Sequence, residues 1–230
     1  MTLAESDLTA SDLALFRGLD PDHLRSLAGK LNRKAFSTGS TIMTADQIGE
    51  VVYVILSGTV KVHLEQEDGH DVIIAILGPG EVVGEMSALD ERARSASVVT
   101  LEKTDLLWID RHEFEQCLKT QPMFAFNLSC ILSKRLRLAN AQIQALAAHA
   151  VENRVARQLI AFADRYGEKI STGKLKIPIR LTQSDIAALV GASREHTNKV
   201  LVSYRERGYL SVSSSHHITI LNKDALVKRC

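Results

Sequence analysis

No apolar run in this 230-residue chain approaches the roughly 18 residues that a membrane-spanning helix needs. The N-terminus, MTLAESDLTASDLALF, carries acidic residues where a secretory signal would carry basic ones. Cysteine is scarce: Cys117, Cys130 and Cys230 lie far apart, are odd in number and form no C-x-x-C pair. A disulfide framework and a cysteine-only metal site are therefore not expected, and a cytoplasmic, reducing location fits. Pro and Gly are absent between Met123 and Ala150, so nothing there interrupts a helix.

What is present is ordinary globular composition, 24% charged and 45% hydrophobic, in a chain longer than one average domain. The net charge of +1 hides an asymmetry. Residues 153–230 hold fourteen Lys and Arg against six Asp and Glu, which leaves the first 152 residues acidic. A basic segment on a near-neutral chain points to a partner for that segment alone, with nucleic acid the commonest.

The stretch from Pro122 to about Ala150 reads as one long helix, with Pro122 in its first turn. Leu132, Leu136, Ala139, Ile143, Leu146 and Ala150 recur at the three-and-four spacing of a coiled-coil seam. Such a seam suits either a core helix or a helix that pairs with a second copy. Pairing is the expectation, because the pattern before it is β and the pattern after it is short helices. The chain thus divides into residues 1–121, a dimerisation helix over 122–150, and residues 151–230.

Residues 9–33 look helical, with Thr9 or Ser11 as caps. From Ala35 to Asp110 the period changes to two. Val51–Leu56, Thr59–Glu65, Val72–Leu77, Ser97–Val99 and Leu106–Ile109 read as short strands separated by Gly turns, with Trp108 in the core. The arrangement predicts a small antiparallel barrel or jelly roll. Segment 84–97 interrupts it as a polar, surface-exposed loop. Gly84 followed by a helical turn exposes backbone N–H groups that favour an anion. Arg94 offers a planar charged fork beside the Ser95 hydroxyl, and Glu85 suits a ligand that also has hydroxyl donors. The alternative is a plain surface loop with Glu85–Arg94 or Glu91–Arg92 pairing.

Beyond the hinge near His149–Asn153, a helix over Arg154–Tyr166 ends at Gly167, and a polar loop over Glu168–Lys174 leads into a strand at Leu175–Leu181. Thr182 caps one short helix, Gly191-Ala192 turns, and Ser193 caps a second that runs from Arg194 to about Arg207. This is a helix-turn-helix. Arg194, Glu195, Thr197, Asn198 and Lys199 supply base-reading groups in the first turns of the second helix. Tyr209–Val212 and His217–Ile220 make a hairpin wing.

Taken together, G-E-M-S-A-L from Gly84, R-S-A-S from Arg94, the Ser57–Val62 stretch and the S-R-E start at Ser193 resemble the CRP/FNR regulators, the cAMP receptor protein family. The resemblance implies an α+β protein: an antiparallel β-roll of cyclic-nucleotide-binding type, a long dimerisation helix and a C-terminal winged helix-turn-helix. It implies cAMP or another cyclic nucleotide as effector. Glu85 would take the ribose 2′-hydroxyl, and Arg94, Ser95 and the backbone near Gly84 and Met86 would take the phosphate. Asn140 would meet the base, with Ala139 where the family commonly has Thr. The implied partners are double-stranded DNA with a palindromic operator, contacted by Thr182, Ser193 and the residues of the second helix, together with RNA polymerase and a second copy of the chain. No membrane contact is implied. The N-terminal cysteine cluster of the iron–sulfur sensors and the Cys and His ligands of the haem sensor are missing from their places. His63 and His70 lack an H-x-H partner and read as solvent-facing, so no metal is expected. A cyclic-nucleotide-regulated interaction module without a DNA role, or a cupin-like enzyme, are the competing functions.

Overall fold

A computed structural model describes residues 13–65, 71–171 and 173–230. In chain order its elements are α1 (Pro21–Ala28), β1 (Asn32–Phe36), β2 (Thr41–Met43), β3 (Val51–Ser57), β4 (Val60–Glu65), β5 (Asp71–Leu77), β6 (Val82–Val83), α2 (Glu85–Asp90), β7 (Ser97–Thr100) and β8 (Thr104–Asp110). Then follow α3 (Arg111–Thr120), α4 (Pro122–Ala148), α5 (Val151–Tyr166), β9 (Glu168–Ser171), β10 (Lys174–Arg180), α6 (Gln183–Val190), α7 (Arg194–Glu206), β11 (Leu210–Val212), β12 (His217–Ile220) and α8 (Lys223–Val227). Among the described residues no helix is long and apolar enough to cross a membrane. The chain forms two compact units, one of residues up to Leu64 with Ile76–Arg137, the other of Glu65–Ala75 with Leu138–Cys230.

Strands β1 to β8 form two antiparallel sheets, ordered β1-β8-β3-β6 and β2-β7-β4-β5. Val51–Leu56 does not alternate because β3 is covered on both faces. Val52 and Val54 enter a cluster with Leu107, Ile109 and the helices, while Tyr53 and Ile55 are buried on the opposite face. Phe124 of α4 joins that cluster, stacked at 6.1 Å on Phe16 and edge-on at 5.5 Å to Phe114. Aromatic pairs of this kind add about 1 kcal/mol beyond their burial. Asn127 pins the same stretch of α4 by donating to the Leu15 and Arg17 carbonyls, at 3.0 and 2.7 Å. The second half of α4 keeps its seam open, with Leu136 63% and Ile143 66% exposed.

Several expectations meet corrections. Among the described residues of the 9–33 stretch only Pro21–Ala28 is α-helix, and residues 14–18 form turns. Asp20 is the cap, accepting from the Asp22 N–H, with Pro21 in the first turn. Thr9 and Ser11 lie outside the described residues. Trp108 is half-buried rather than core. The polar Glu168–Lys174 segment is mostly strand: β9 pairs with β10, and its residues are all exposed, so the segment has the composition of a loop while serving as a sheet edge.

In the second unit, β11-β12-β10-β9 form one sheet. Pro178 has no N–H to donate, and the β10–β12 register shifts between Ile177 and Arg180 around it. The core is Val155, Leu159 and Phe162 of α5 with Ile177, Ile186 and Leu226. Gly191 ends α6 in the left-handed region, φ 59°, where its N–H reaches the Ala187 carbonyl.

Candidate effector pocket and DNA-reading helix

Segment 84–97 is not a plain surface loop. Gly84 takes φ 84° and starts α2, whose Glu85, Ser87 and Ala88 are buried. Arg94, expected at the surface, is only 6% exposed. Its Nη1 donates to the Gly84 carbonyl at 2.6 Å and to Ser87 Oγ at 2.7 Å, and its Nη2 donates to the Val51 carbonyl. A guanidinium satisfies its charge-bearing donors inside a fold when backbone carbonyls converge on it, and three acceptors do so here. Burial pulls its pKa down, while nearby Tyr53 and Glu85 push it up. Gly84 also allows this close approach, since a Cβ there would stand 2.5 Å from Nη1.

Glu85 is 2% exposed, and its partner is Arg135 of α4. Arg135 Nη1 lies 2.7 Å from Glu85 Oε1; Nη2 lies 3.3 Å from Glu81 Oε2 and also donates to the Val82 carbonyl. Arg135 was no candidate from sequence, where it read as one of several polar residues off the seam. The available signal was its place one helical turn before Ala139. Met86 and Ser95 remain outside, both exposed, with the Ser95 hydroxyl 3.7 Å from the Met86 sulfur. Glu91 meets Arg111 at 3.7 Å rather than Arg92. Asn140 and Ala139 are exposed on α4. His63 is half-buried in β4 rather than solvent-facing, and His70 lies outside the described residues. Among the described residues no three His, Cys, Asp or Glu side chains are placed to hold a metal ion.

In the helix-turn-helix, Thr182 forms a reciprocal capping box. Its hydroxyl accepts from the Asp185 N–H at 3.1 Å, and Asp185 Oδ2 accepts from the Thr182 N–H at 2.9 Å. Loss of such a cap costs about 1 kcal/mol. Ser193 caps α7 by accepting from the His196 N–H at 3.2 Å. Arg194, Glu195 and Lys199 are exposed, the last two joined at 2.7 Å. Asn198 is half-buried and accepts from Gln183 Nε2 at 2.7 Å, locking α7 to α6. Thr197 is a correction. It is fully buried on the face that Val200, Leu201 and Tyr204 share, three, four and seven residues on, and so cannot reach a base.

A β-roll, a long helix and a winged helix-turn-helix in that order make the architecture of a DNA-binding regulator. Comparison with known proteins agrees. Residues 33–121 match the family pattern described as Cyclic nucleotide-binding domain, and residues 153–229 match the Crp-like helix-turn-helix domain. The chain is 32% identical over 215 residues to the CRP-like cAMP-activated global transcriptional regulator of Mycobacterium tuberculosis, covering 94% of this chain and 95% of that one. It is 34% identical over 194 residues to the cyclic AMP receptor protein of Thermus thermophilus, covering 84% and 86%. The solved structure of FixK2 from Bradyrhizobium japonicum shares the fold, with TM-score 0.75 and 22% identity over 86% of this chain and 96% of that one. The chain belongs to the CRP/FNR family of transcription regulators. It is a DNA-binding regulator and not an enzyme, which sets aside both competing functions.

Proposed function

We propose that the chain works in the cytoplasm as a homodimer that takes cAMP or another cyclic nucleotide into its β-roll and then binds a palindromic operator. The observation that carries this is the shared burial of Glu85 and Arg94 near the Gly84 turn, each fixed by its own partners. A rigid carboxylate beside a rigid guanidinium suits a ligand that presents a ribose hydroxyl next to a phosphate. Gly84, Met86 and Ser95 complete the phosphate side, and Asn140 offers its amide to the base. The exposed seam of α4 supports pairing with a second copy, and the division at 1–121, 122–150 and 151–230 follows from that role.

Effector binding biases the pair toward a state in which two recognition helices sit about one DNA turn, roughly 34 Å, apart. Arg194 and Lys199 are suited to guanine and Glu195 to cytosine, with Asn198 behind them. Thr182 and Ser193 turn helix starts toward phosphate. RNA polymerase is the downstream partner. The test is calorimetric titration with a panel of cyclic mono- and dinucleotides, followed by duplex binding at several salt concentrations. One nucleotide should bind and raise DNA affinity, and that affinity should fall steeply with salt. If no member of the panel binds, the effector assignment is wrong.

A further inference from the structure

Gly49 presents a puzzle that backbone geometry does not solve. It does not occupy the left-handed region, yet a Cβ there would stand 2.4 Å from Ser87 Oγ and 2.6 Å from Arg94 Cζ. The glycine is therefore needed for space, and what fills the space is a hydroxyl and a guanidinium in contact. Ser87 is 2% exposed, accepts from Arg94 Nη1 at 2.7 Å and donates to the Gly84 carbonyl at 3.3 Å. The Arg94 backbone is pinned as well, its N–H on the Gln47 carbonyl at 2.8 Å and its carbonyl under the Asp46 N–H at 2.9 Å.

A guanidinium has five N–H donors. Gly84, Ser87 and Val51 take three of them, two on Nη1 and one on Nη2. The two left over are Nε–H and the second hydrogen of Nη2, neighbouring donors that a phosphate accepts as a bidentate fork. The side chain is thus gripped by one edge and offers the other. We propose that Ser87, in the space that Gly49 leaves, is a positioning residue that fixes the Arg94 guanidinium with its remaining edge toward the effector's phosphate. This rests on the assignment of Arg94 to the phosphate given above.

Calorimetry on the full chain with cAMP and 2′-deoxy-cAMP tests it. Ser87→Ala should weaken both by the same factor, about tenfold for one hydrogen bond to a charged group, in a chain that still folds. The ratio between the two ligands, which reports the Glu85 contact, should not change. Gly49→Ala should weaken both in the same way with the hydroxyl intact, by displacing the guanidinium. Wild-type affinities in Ser87→Ala overturn the proposal. So does a cAMP to 2′-deoxy-cAMP ratio that collapses, because a loosened α2 would then be the cause. Arg94→Lys separates the two layers. Unchanged binding in Arg94→Lys, or a wild-type chain that takes up neither ligand, removes the phosphate assignment and this proposal with it. Lost binding in Arg94→Lys with wild-type binding in Ser87→Ala removes the positioning role alone.

Discussion

Arg135 Nη1 stands 2.7 Å from Glu85 Oε1, so a residue of the long helix neutralises a carboxylate fifty positions earlier that is itself almost wholly buried. Arg135→Leu would leave Glu85 without its counter-charge, an arrangement that costs roughly 3 kcal/mol. Urea unfolding should record that loss, and adding Glu85→Gln should return a good part of it by removing the stranded charge. Equal stability of wild type and Arg135→Leu would mean that the pair contributes nothing.

Arg94→Leu should destabilise the roll, contrary to what a surface arginine would do. The Gly84 and Val51 carbonyls and the Ser87 hydroxyl each lose a donor at once. Each buried acceptor left unpaired costs about 1–3 kcal/mol. Thermal denaturation by circular dichroism is the measurement. A melting temperature within a degree of wild type would return Arg94 to the solvent.

On α4, Leu136 and Ile143 are 63% and 66% exposed, so replacing them costs little within one chain. Leu136→Glu with Ile143→Glu should give folded monomers in sedimentation that no longer hold palindromic DNA, because like charges would face each other across the seam. A surviving dimer would place the contact elsewhere.

Tyr204 gives the C-terminal unit a pH dependence on the alkaline side. Burial pushes its hydroxyl up to about 12, helped by the Glu152 carboxylate and opposed by the Arg229 guanidinium. The hydroxyl donates to the Glu152 carbonyl at 2.9 Å. An unfolded tyrosine ionises near pH 10, so between about pH 10 and 12 the folded state holds the extra proton. Stability from this group is complete below pH 10 and is lost as pH rises to 12, by about 2–3 kcal/mol. Denaturant titrations at pH 9, 10 and 11 should show this slope in wild type and a shallower one in Tyr204→Phe. Parallel slopes would rule it out.

Local spacing carried much of this protein. The caps at Thr182 and Ser193 connect residues three apart, and the long helix α4 follows from a stretch free of Gly with Pro in its first turn, so both are written in adjacent residues and both recur in the fold. The period of Val200, Leu201 and Tyr204 also ran through Thr197, but residue type alone put that threonine among the base-reading groups. The motif around Gly84 and Arg94 announced anion chemistry by residue type alone. What spacing could not supply was direction. A guanidinium has the same charge in water as under two carbonyls and a hydroxyl, so the burial of Arg94 was hidden until Val51, Gly84 and Ser87 were brought around it. The partner of Glu85 was equally open among every arginine in the chain, and β9 was indistinguishable from a loop until β10 lay beside it. Those choices belong to contacts between residues tens of positions apart, which only the folded chain brings within reach.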